Sequence, residues 1–366
     1  MMDADARYML DALRLAKRGL GRTSPNPMVG AVLVKDGRRI AGGFHARAGD
    51  PHAEVVAISN SGQSVEGSTL YVTLEPCCHY GRTPPCVDLI VESGISRVVV
   101  GCIDPNPLVN GKGIEALQRA GIQVKLGVLE DRCRLLNEAY FKHITTGLPF
   151  VTLKLAQTLD GRIATASGDS KWITSLEARR FVHRLRAQSD VVLVGRKTVE
   201  KDDPALTVRH VRPIRPDRPV RVVLDSNLKT SPRAKVFTEP GKAVVAATDA
   251  APSEREQAFV DAGVEIIKTP PRNGKVDLKR LLAALGARGL TSVLCEGGAT
   301  LAWELVSQRL FDKVIYAVAP KILGGVTSIP SVSGEGFSTV AEAVELDIHS
   351  TKRVGSDLVV VAYPKH

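Results

Sequence analysis

The sequence predicts two successive α/β domains in one chain. Three observations carry this reading. Short apolar strand candidates alternate with amphipathic helix candidates along the whole length, the pattern of layered α/β architecture. The alternation breaks at Thr146-Gly147-Leu148-Pro149 and then restarts, which sets the expected domains at 1–146 and 150–366. The 366 residues, 44% of them hydrophobic, suffice for two cores.

Each element follows from its local pattern. Apolar residues Ala6, Met9, Leu10, Leu13 and Ala16 recur with helical period over 3–19. Stretches 28–34 and 38–44 read as strands around Lys35-Asp36-Gly37, a hairpin signal. A helix is expected from near His52 through Ser59, a strand at 70–74, a helix at 87–92 and a strand at 97–101. A helix at 113–120, a strand at 122–126 and one helix from Glu130 to about Thr145 complete the first half. Strands alternating with helices predict a largely parallel sheet. In the second half the strand candidates are 150–156, 191–194, 220–224, 243–247, 264–267, 292–295, 314–319 and 358–362. The helix candidates there are 176–188, 254–262, 278–287 and 300–308. No repeat of fixed period and no low-complexity tract interrupts them.

Composition narrows the function classes. No apolar run approaches the roughly 20 residues of a membrane helix, so no membrane partner is expected. Met1-Met2-Asp3-Ala4-Asp5 lacks a basic region followed by an apolar stretch, so a signal peptide is not expected and a cytoplasmic location is. The net charge of +10 suits nucleic acid, a membrane surface or phosphate esters. The one dense basic stretch, with Arg209, Arg212, Arg215, Arg218 and Arg221, is broken by prolines and carries no aromatic. With aromatics at 4% of the chain, a base-stacking surface is not expected, and the stretch reads as a solvated loop or a phosphate site. A homo-oligomer is expected. Of six cysteines, Cys77, Cys78 and Cys86 crowd together, whereas Cys102, Cys133 and Cys295 sit among apolar neighbours and read as core.

His52-Ala53-Glu54 and Pro76-Cys77…Cys86 are the most informative residues. Zinc takes neutral imidazole and thiolate ligands, and a catalytic zinc keeps three protein ligands with one position left for water. His52, Cys77 and Cys86 supply those three. The metal lowers the pKa of its water, and a carboxylate outside the ligand set, Glu54, then moves protons from that water to leaving ammonia. This is the His-x-Glu and Pro-Cys-x-x-Cys logic of zinc deaminases, with a departure: eight residues separate Cys77 from Cys86. A structural zinc would instead want a fourth ligand from Cys78 or His79. Adjacent Cys77 and Cys78 rarely chelate one tetrahedral metal without strain, so Cys78 reads as a thiol beside the site. In the second half, Leu294-Cys295-Glu296-Gly297-Gly298-Ala299-Thr300 ends a strand and opens a helix, whose N-terminus suits a pyrophosphate. It is not the Rossmann fingerprint, and a plain strand–helix turn fits it as well.

Thr73-Leu74-Glu75-Pro76-Cys77-Cys78-His79-Tyr80-Gly81-Arg82-Thr83-Pro84-Pro85-Cys86 resembles the deaminase half of the bifunctional riboflavin-biosynthesis deaminase/reductase family. So do Ser24-Pro25-Asn26-Pro27-Met28-Val29-Gly30 and Asp104-Pro105-Asn106-Pro107. The reductase half of that family is resembled by Lys154-Leu155-Ala156, Leu159-Asp160-Gly161-Arg162, Ser170-Lys171-Trp172-Ile173-Thr174, the run Asp202 to Arg209, Leu224-Asp225-Ser226 and Glu296-Gly297-Gly298. The resemblance runs through nearly the whole chain. It implies a cytidine-deaminase-like three-layer domain followed by a dihydrofolate-reductase-like domain that uses NADPH. The implied reaction removes the 2-amino group of a phosphoribosylated diaminopyrimidinone. NADPH then reduces the ribosyl carbon of the product to the ribityl chain.

The resemblance also implies roles. Asn26, His45, His79, Arg82, Asp104 and Asn106 fall where the deaminase substrate is contacted, although Asn and Asp beside proline are also ordinary turn formers. Ala156, Trp172, Thr198, Asp202, Ser226, Gly298, Ala299 and Thr300 fall where NADPH is bound. Ser170, Arg186, Leu206, Arg209 and Glu296 fall where the reductase substrate is bound. Lys154, Asp202 and Glu296 are the polar candidates near hydride transfer. Small phosphorylated pyrimidines then account for part of the positive charge without nucleic acid. One rival, an RNA adenosine deaminase with an added domain, should show Pro-Cys-x-x-Cys and a recognition surface, and this chain has neither. A second, a non-enzymatic nucleic-acid-binding module, rests on the +10 charge alone.

Overall fold

A computed structural model describes residues 3–80, 84–215, 217 and 219–365. The chain forms two compact units, Met1–Gly147 and Leu148–His366, each with its own sheet and core.

In the first unit, α1 (Ala4–Ala16) precedes a hairpin of β1 (Gly30–Lys35) and β2 (Arg38–Phe44). Lys35 pairs with Arg38, and the two turn residues Asp36 and Gly37 have φ of 50° and 70°, the left-handed pair that a tight hairpin demands. Then come α2 (Ala53–Ser59), β3 (Thr69–Leu74), α3 (Cys86–Glu92), β4 (Arg97–Cys102), α4 (Lys112–Arg119), β5 (Gln123–Leu126), α5 (Glu130–Leu136) and α6 (Glu138–Thr146). The sheet order is β2-β1-β3-β4-β5. Its pairs β1–β2 and β1–β3 are antiparallel and β3–β4 and β4–β5 parallel, so this sheet is mixed where the alternation predicts a largely parallel one. The hairpin causes the difference, because it reverses β1 before the crossover helices begin.

One apolar cluster packs Leu33, Leu70, Val72, Val98 and Val100 under α2, α3 and α4; another packs Val32, Tyr71 and Val99 under α1. Alternate residues of each strand therefore feed opposite faces, which makes three layers. Gly43 lets α2 lie directly on β2, since a Cβ there would sit 2.5 Å from the carbonyl oxygen of Ala53. The expected single helix over 130–145 is two helices. Asn137 breaks it, and its side chain accepts the Met28 N–H at 2.7 Å and donates to the Met28 carbonyl at 2.9 Å.

The second unit begins with β6 (Phe150–Thr158), β7 (Arg162–Ala164), α7 (Leu176–Gln188), β8 (Val191–Gly195), α8 (Arg196–Asp202) and β9 (Val220–Leu224). It continues through α9 (Lys235–Thr238), β10 (Ala243–Thr248), α10 (Ser253–Asp261), β11 (Glu265–Thr269), the ribbon β12 (Pro271–Arg272) and β13 (Lys275–Val276), and α11 (Leu278–Ala287). It ends with β14 (Ser292–Cys295), α12 (Ala299–Ser307), β15 (Lys313–Ala319), β16 (Ile329–Pro330), β17 (Leu346–Val354) and β18 (Asp357–Pro364). Nine strands form one sheet in the order β11-β10-β9-β8-β14-β6-β15-β18-β17. It is parallel except for the last two strands, which pair antiparallel. Val151, Leu153, Val191, Leu193, Val222 and Val293 pack with Leu281, Leu285 and Leu305 on one face. Every strand candidate of this half is found; β17, α8 and the short elements are additional.

The basic stretch after α8 is more structural than either sequence reading allows. Arg221 is only 1% exposed, and its guanidinium donates to the carbonyls of Glu239, Pro240 and Gly241. Arg215 pairs with buried Asp190 at 2.6 Å. Arg218 lies outside the described residues.

Candidate active sites

The first site forms where α2 and α3 begin. His52 is the N-cap of α2, and Glu54 lies in its first turn. Cys86 opens α3, and Cys77 follows β3. Two loops and two helix starts thus converge on one point. The His52 Nδ1 stands 3.2 Å from the Cys86 Sγ and 3.5 Å from the Cys77 Sγ, and all three donor atoms lie within 4.8 Å of one another. Tetrahedral zinc bonds of ordinary length put nitrogen and sulfur ligands about 3.5 Å apart. Among the described residues this is the one group of three or more such donors.

The charges also call for a cation. Hydrogen bonds from the Cys86 thiol, His52 and the Cys86 backbone N–H draw the Cys77 thiol down to about 4. Its hydrogen bond to Cys77 and its burial both oppose ionisation of Cys86. Glu54, 3% exposed, is pushed up to about 7 by burial and by neighbouring Cys77. Three acidic groups in one dry pocket fit a divalent cation, and the donor set of one imidazole and two thiolates fits zinc.

His52, Glu54 and Cys77 form part of the lining of a cavity of about 520 Å³ that also takes in Asn26, His45, His79, Asp104 and Asn106. Five of the six expected substrate contacts therefore share one cavity; the sixth, Arg82, lies outside the described residues. His45 sits between Asn26, whose Nδ2 is 3.2 Å from its Nε2, and the Pro51 carbonyl, 3.2 Å from its Nδ1. Burial lowers its pKa, so the ring is a neutral donor–acceptor. Burial raises Asp104, which accepts hydrogen bonds from the Asn106 N–H at 2.9 Å and the Tyr140 hydroxyl at 3.0 Å. Cys78 lies outside the ligand group, its Sγ 3.7 Å from the Leu108 carbonyl.

Sequence reasoning missed three residues here. Tyr140 and His143 of α6 line the cavity, and the only sequence signal for them is an aromatic and an imidazole at helical spacing. Glu75 is buried and accepts the backbone N–H groups of Asp104, Gly111, Gly113 and Ile114. It fixes the loop that carries Asp104 and Asn106. Gly113 is required there, because a Cβ would stand 2.2 Å from the Pro76 carbonyl oxygen.

The second site is a cavity of about 900 Å³ along the C-terminal ends of β8, β9 and the β14–α12 turn. Thr198, Asp202, Ser226, Gly298, Ala299 and Thr300 line it, as does Ser170. The first turn of α12 leaves unpaired amides and positive potential at this wall. Arg196, Lys197, Lys201, Lys229, Arg272 and Lys275 also line it, so the cavity suits an anionic ligand. Ser226 anchors the neighbouring ribbon, its hydroxyl accepting the Val276 N–H at 3.1 Å.

The remaining expected residues do not line that cavity. Lys154, Arg186 and Glu296 form a largely buried charged group, in which Arg186 grips both Glu296 oxygens at 2.6 and 3.0 Å and donates to the Thr207 carbonyl at 3.1 Å. Burial pushes Lys154 down, and Arg186 holds Glu296 ionised against its burial. Leu206 is buried in an apolar cluster with Val194, Val199 and Val223. Arg209 is exposed. Trp172 is 63% exposed with the Arg179 guanidinium 4.0 Å over its ring. Ala156 packs against a cluster of Phe181, Ile315 and Val359.

Comparison with known proteins adds the following. Residues 2–102 match the cytidine and deoxycytidylate deaminase zinc-binding region, and residues 149–360 match the RibD C-terminal domain. The riboflavin biosynthesis protein RibD of Aquifex aeolicus is 44% identical over 359 residues, 98% of each chain. That of Escherichia coli is 41% identical, covering 97% of this chain and 98% of its own. The structure of Acinetobacter baumannii RibD in one crystal form superposes with a TM-score of 0.89 at 40% identity, with 99% of each chain covered. A diaminohydroxyphosphoribosylaminopyrimidine deaminase/5-amino-6-(5-phosphoribosylamino)uracil reductase from Thermotoga maritima does so with a TM-score of 0.87 at 40% identity and the same coverage.

Proposed function

The chain belongs to the RibD family of riboflavin biosynthesis proteins, and from that premise we propose how its two units divide a two-step conversion. It is a bifunctional deaminase and reductase, a cytidine-deaminase-like unit followed by a dihydrofolate-reductase-like unit. The first removes the 2-amino group of 2,5-diamino-6-(5-phosphoribosylamino)pyrimidin-4-one by hydrolysis. The second reduces the ribosyl group of 5-amino-6-(5-phosphoribosylamino)uracil to the ribityl chain with NADPH.

His52, Cys77 and Cys86 hold zinc, which when bound supplies a Lewis acid and a water of lowered pKa. Glu54, buried beside them and outside the ligand set, takes a proton from the attacking water and returns it to the leaving nitrogen. Asn26 and Asp104 have the donors and acceptors to read the pyrimidine edge, His45, both of its ring nitrogens engaged, holds the Asn26 amide in place, and Asn106 lines the same cavity. His79 and Arg82 meet the phosphate. In the second unit the first turn of α12 and the lysines and arginines around the cavity bind the anionic part of NADPH, which supplies the hydride. Thr198, Asp202, Ser226 and Ser170 line the same space. Lys154 in the middle of β6, its charge disfavoured by burial, and the Arg186–Glu296 pair, which joins α7 to the residue after β14, are the candidate groups for the proton that accompanies the hydride. Arg209 is free to meet the substrate phosphate, whereas the Arg186 guanidinium is already engaged.

The single observation that carries this reading is the convergence of the His52, Cys77 and Cys86 donor atoms at a cavity of about 520 Å³ whose wall includes His52, Cys77 and buried Glu54. Ultraviolet monitoring of the purified protein with the diaminopyrimidine phosphate tests it. Deamination should proceed without NADPH, and NADPH oxidation should follow only once deaminated product exists. NADPH oxidation on the diamino compound by a metal-stripped protein would refute the order. A homo-oligomer is supported by the sheet edge at β17, whose residues Asp347 to Arg353 are all exposed, Ile348 among them. Light scattering on the eluted protein decides it. Zinc-binding thiolates and free cysteines support a reducing, cytoplasmic setting. No helix of the described residues is long and apolar enough to cross a membrane.

A further inference from the structure

The segment between α8 and β9 carries Leu206 and Arg209, and its backbone is unusual. Asp203, Leu206 and His210 have φ of 38°, 53° and 61°, a region that residues with a Cβ adopt only when their surroundings enforce it. Burial of Leu206 among Val194, Val199 and Val223 anchors one end. Two side chains of α7 hold the rest. Arg186 donates to the Thr207 carbonyl at 3.1 Å, and the His183 Nδ1 accepts the Arg209 backbone N–H at 2.9 Å. His183 is 7% exposed, in edge contact with the His210 ring at 5.0 Å between centroids.

We propose that His183 is a positioning residue of the reductase site, whose Nδ1 fixes the Arg209 backbone and so aims the Arg209 guanidinium at the substrate phosphate. This rests on the reading of Arg209 as a phosphate contact. The chemistry favours a fixed acceptor. Nδ1 can accept only while the ring is neutral with its proton on Nε2. Burial, together with Arg186, His210 and Arg209, pushes His183 down to about 4, against the opposing pull of Glu296. The ring is therefore held neutral, as the Arg209 N–H to Nδ1 bond requires. An exposed arginine keeps many rotamers, so fixing its Cα is the means this fold has to narrow where its charge can reach.

The test uses the full-length protein with NADPH, the deaminated phosphoribosyl intermediate and its desphospho analogue. His183→Phe keeps the bulk of the ring and removes the acceptor; His183→Asn returns an acceptor oxygen near the Nδ1 position. His183→Phe is expected to raise KM for the phosphorylated substrate about tenfold, with kcat within about twofold and desphospho turnover unchanged. His183→Asn should restore most of that loss. Unchanged KM in His183→Phe overturns the proposal, and so does an equal loss in both variants or an equal loss on the desphospho compound, which would mark a packing role. Arg209→Met separates the two readings. If Arg209→Met keeps full preference for the phosphorylated substrate, the phosphate reading of Arg209 fails. If it loses that preference while His183→Phe does not, only the positioning role fails. Unaltered NADPH binding and thermal melting in His183→Phe verify that the variant is folded.

Discussion

The two cavities reach selectivity by opposite means. In the first unit the chemistry comes from a few atoms packed close: one imidazole, two thiols and a carboxyl whose positions are fixed by the starts of two helices. In the second, the wall is spread over the ends of β8 and β9, the β12–β13 ribbon and the first turn of α12, and much of it is cationic side chain. A metal centre fails when one donor is lost. A broad cofactor surface makes many contacts, most of which should cost little when changed one at a time.

The sharpest break of this contrast is at the ligands. Cys86→Ser should reduce zinc from about one per chain to near none and abolish deamination, measured by elemental analysis and ammonia release. Full metal retention would mean a different ligand set. Next comes Glu54→Gln, which should keep the zinc and lower deamination by roughly a hundredfold to ten-thousandfold, the range of a positioned acid–base group. The same variant should still oxidise NADPH at the normal rate when given the deaminated intermediate. Near-normal deamination by metal-replete protein would remove Glu54 from the mechanism.

A third prediction concerns a place in the second unit where a single contact should matter greatly. Arg186→Met leaves the Glu296 carboxylate buried without its bidentate partner, so unfolding of that unit should be easier by about 3 kcal/mol. Denaturant titration measures it, and adding Glu296→Leu should recover much of the loss. No change in the single variant would show that the pair is not the clamp its geometry implies.

The smallest effect is a pH dependence confined to the first unit. Hydrogen bonds from Arg97, Lys125 and Tyr71 hold the Asp5 carboxyl well below the usual carboxylate range, despite its burial. A folded-state pKa depressed below the unfolded value near 4 gives stability that is present above that value and is lost as pH falls further. Lys125 is half-exposed and screened, so about 1 kcal/mol is expected. Asp5→Asn should be less stable than the natural protein at pH 7, by a margin that is smaller at pH 2, by denaturant titration at each pH. A constant difference at both would exclude the linkage.

What the sequence made legible follows from how local each cause is. The Asp36–Gly37 turn, the His52–Glu54 helix start and the cysteine pair are each set within about ten residues; the turn and the helix start stand as read, and the two thiols meet beside His52. α8 has one buried residue, Val199, and hence no apolar stripe to betray it. β17 is exposed along nearly its whole length, so alternation has nothing to mark. The break at Asn137 depends on Met28, more than a hundred residues away in the chain. Arg221 looks like its neighbours in a basic loop, and only the fold turns three carbonyls towards it.

Glu75 bears on a quantity that no distance in the site expresses. By gathering four backbone amides it gives the 103–114 segment its shape without any ligand, so the loss of conformational freedom belongs to folding and not to the encounter with substrate. Association with the first cavity should accordingly be fast and carry a modest entropy penalty. Relaxing that segment through Glu75→Gln should shift the calorimetric signature of substrate binding towards a larger unfavourable entropy, well before any change at the metal ligands.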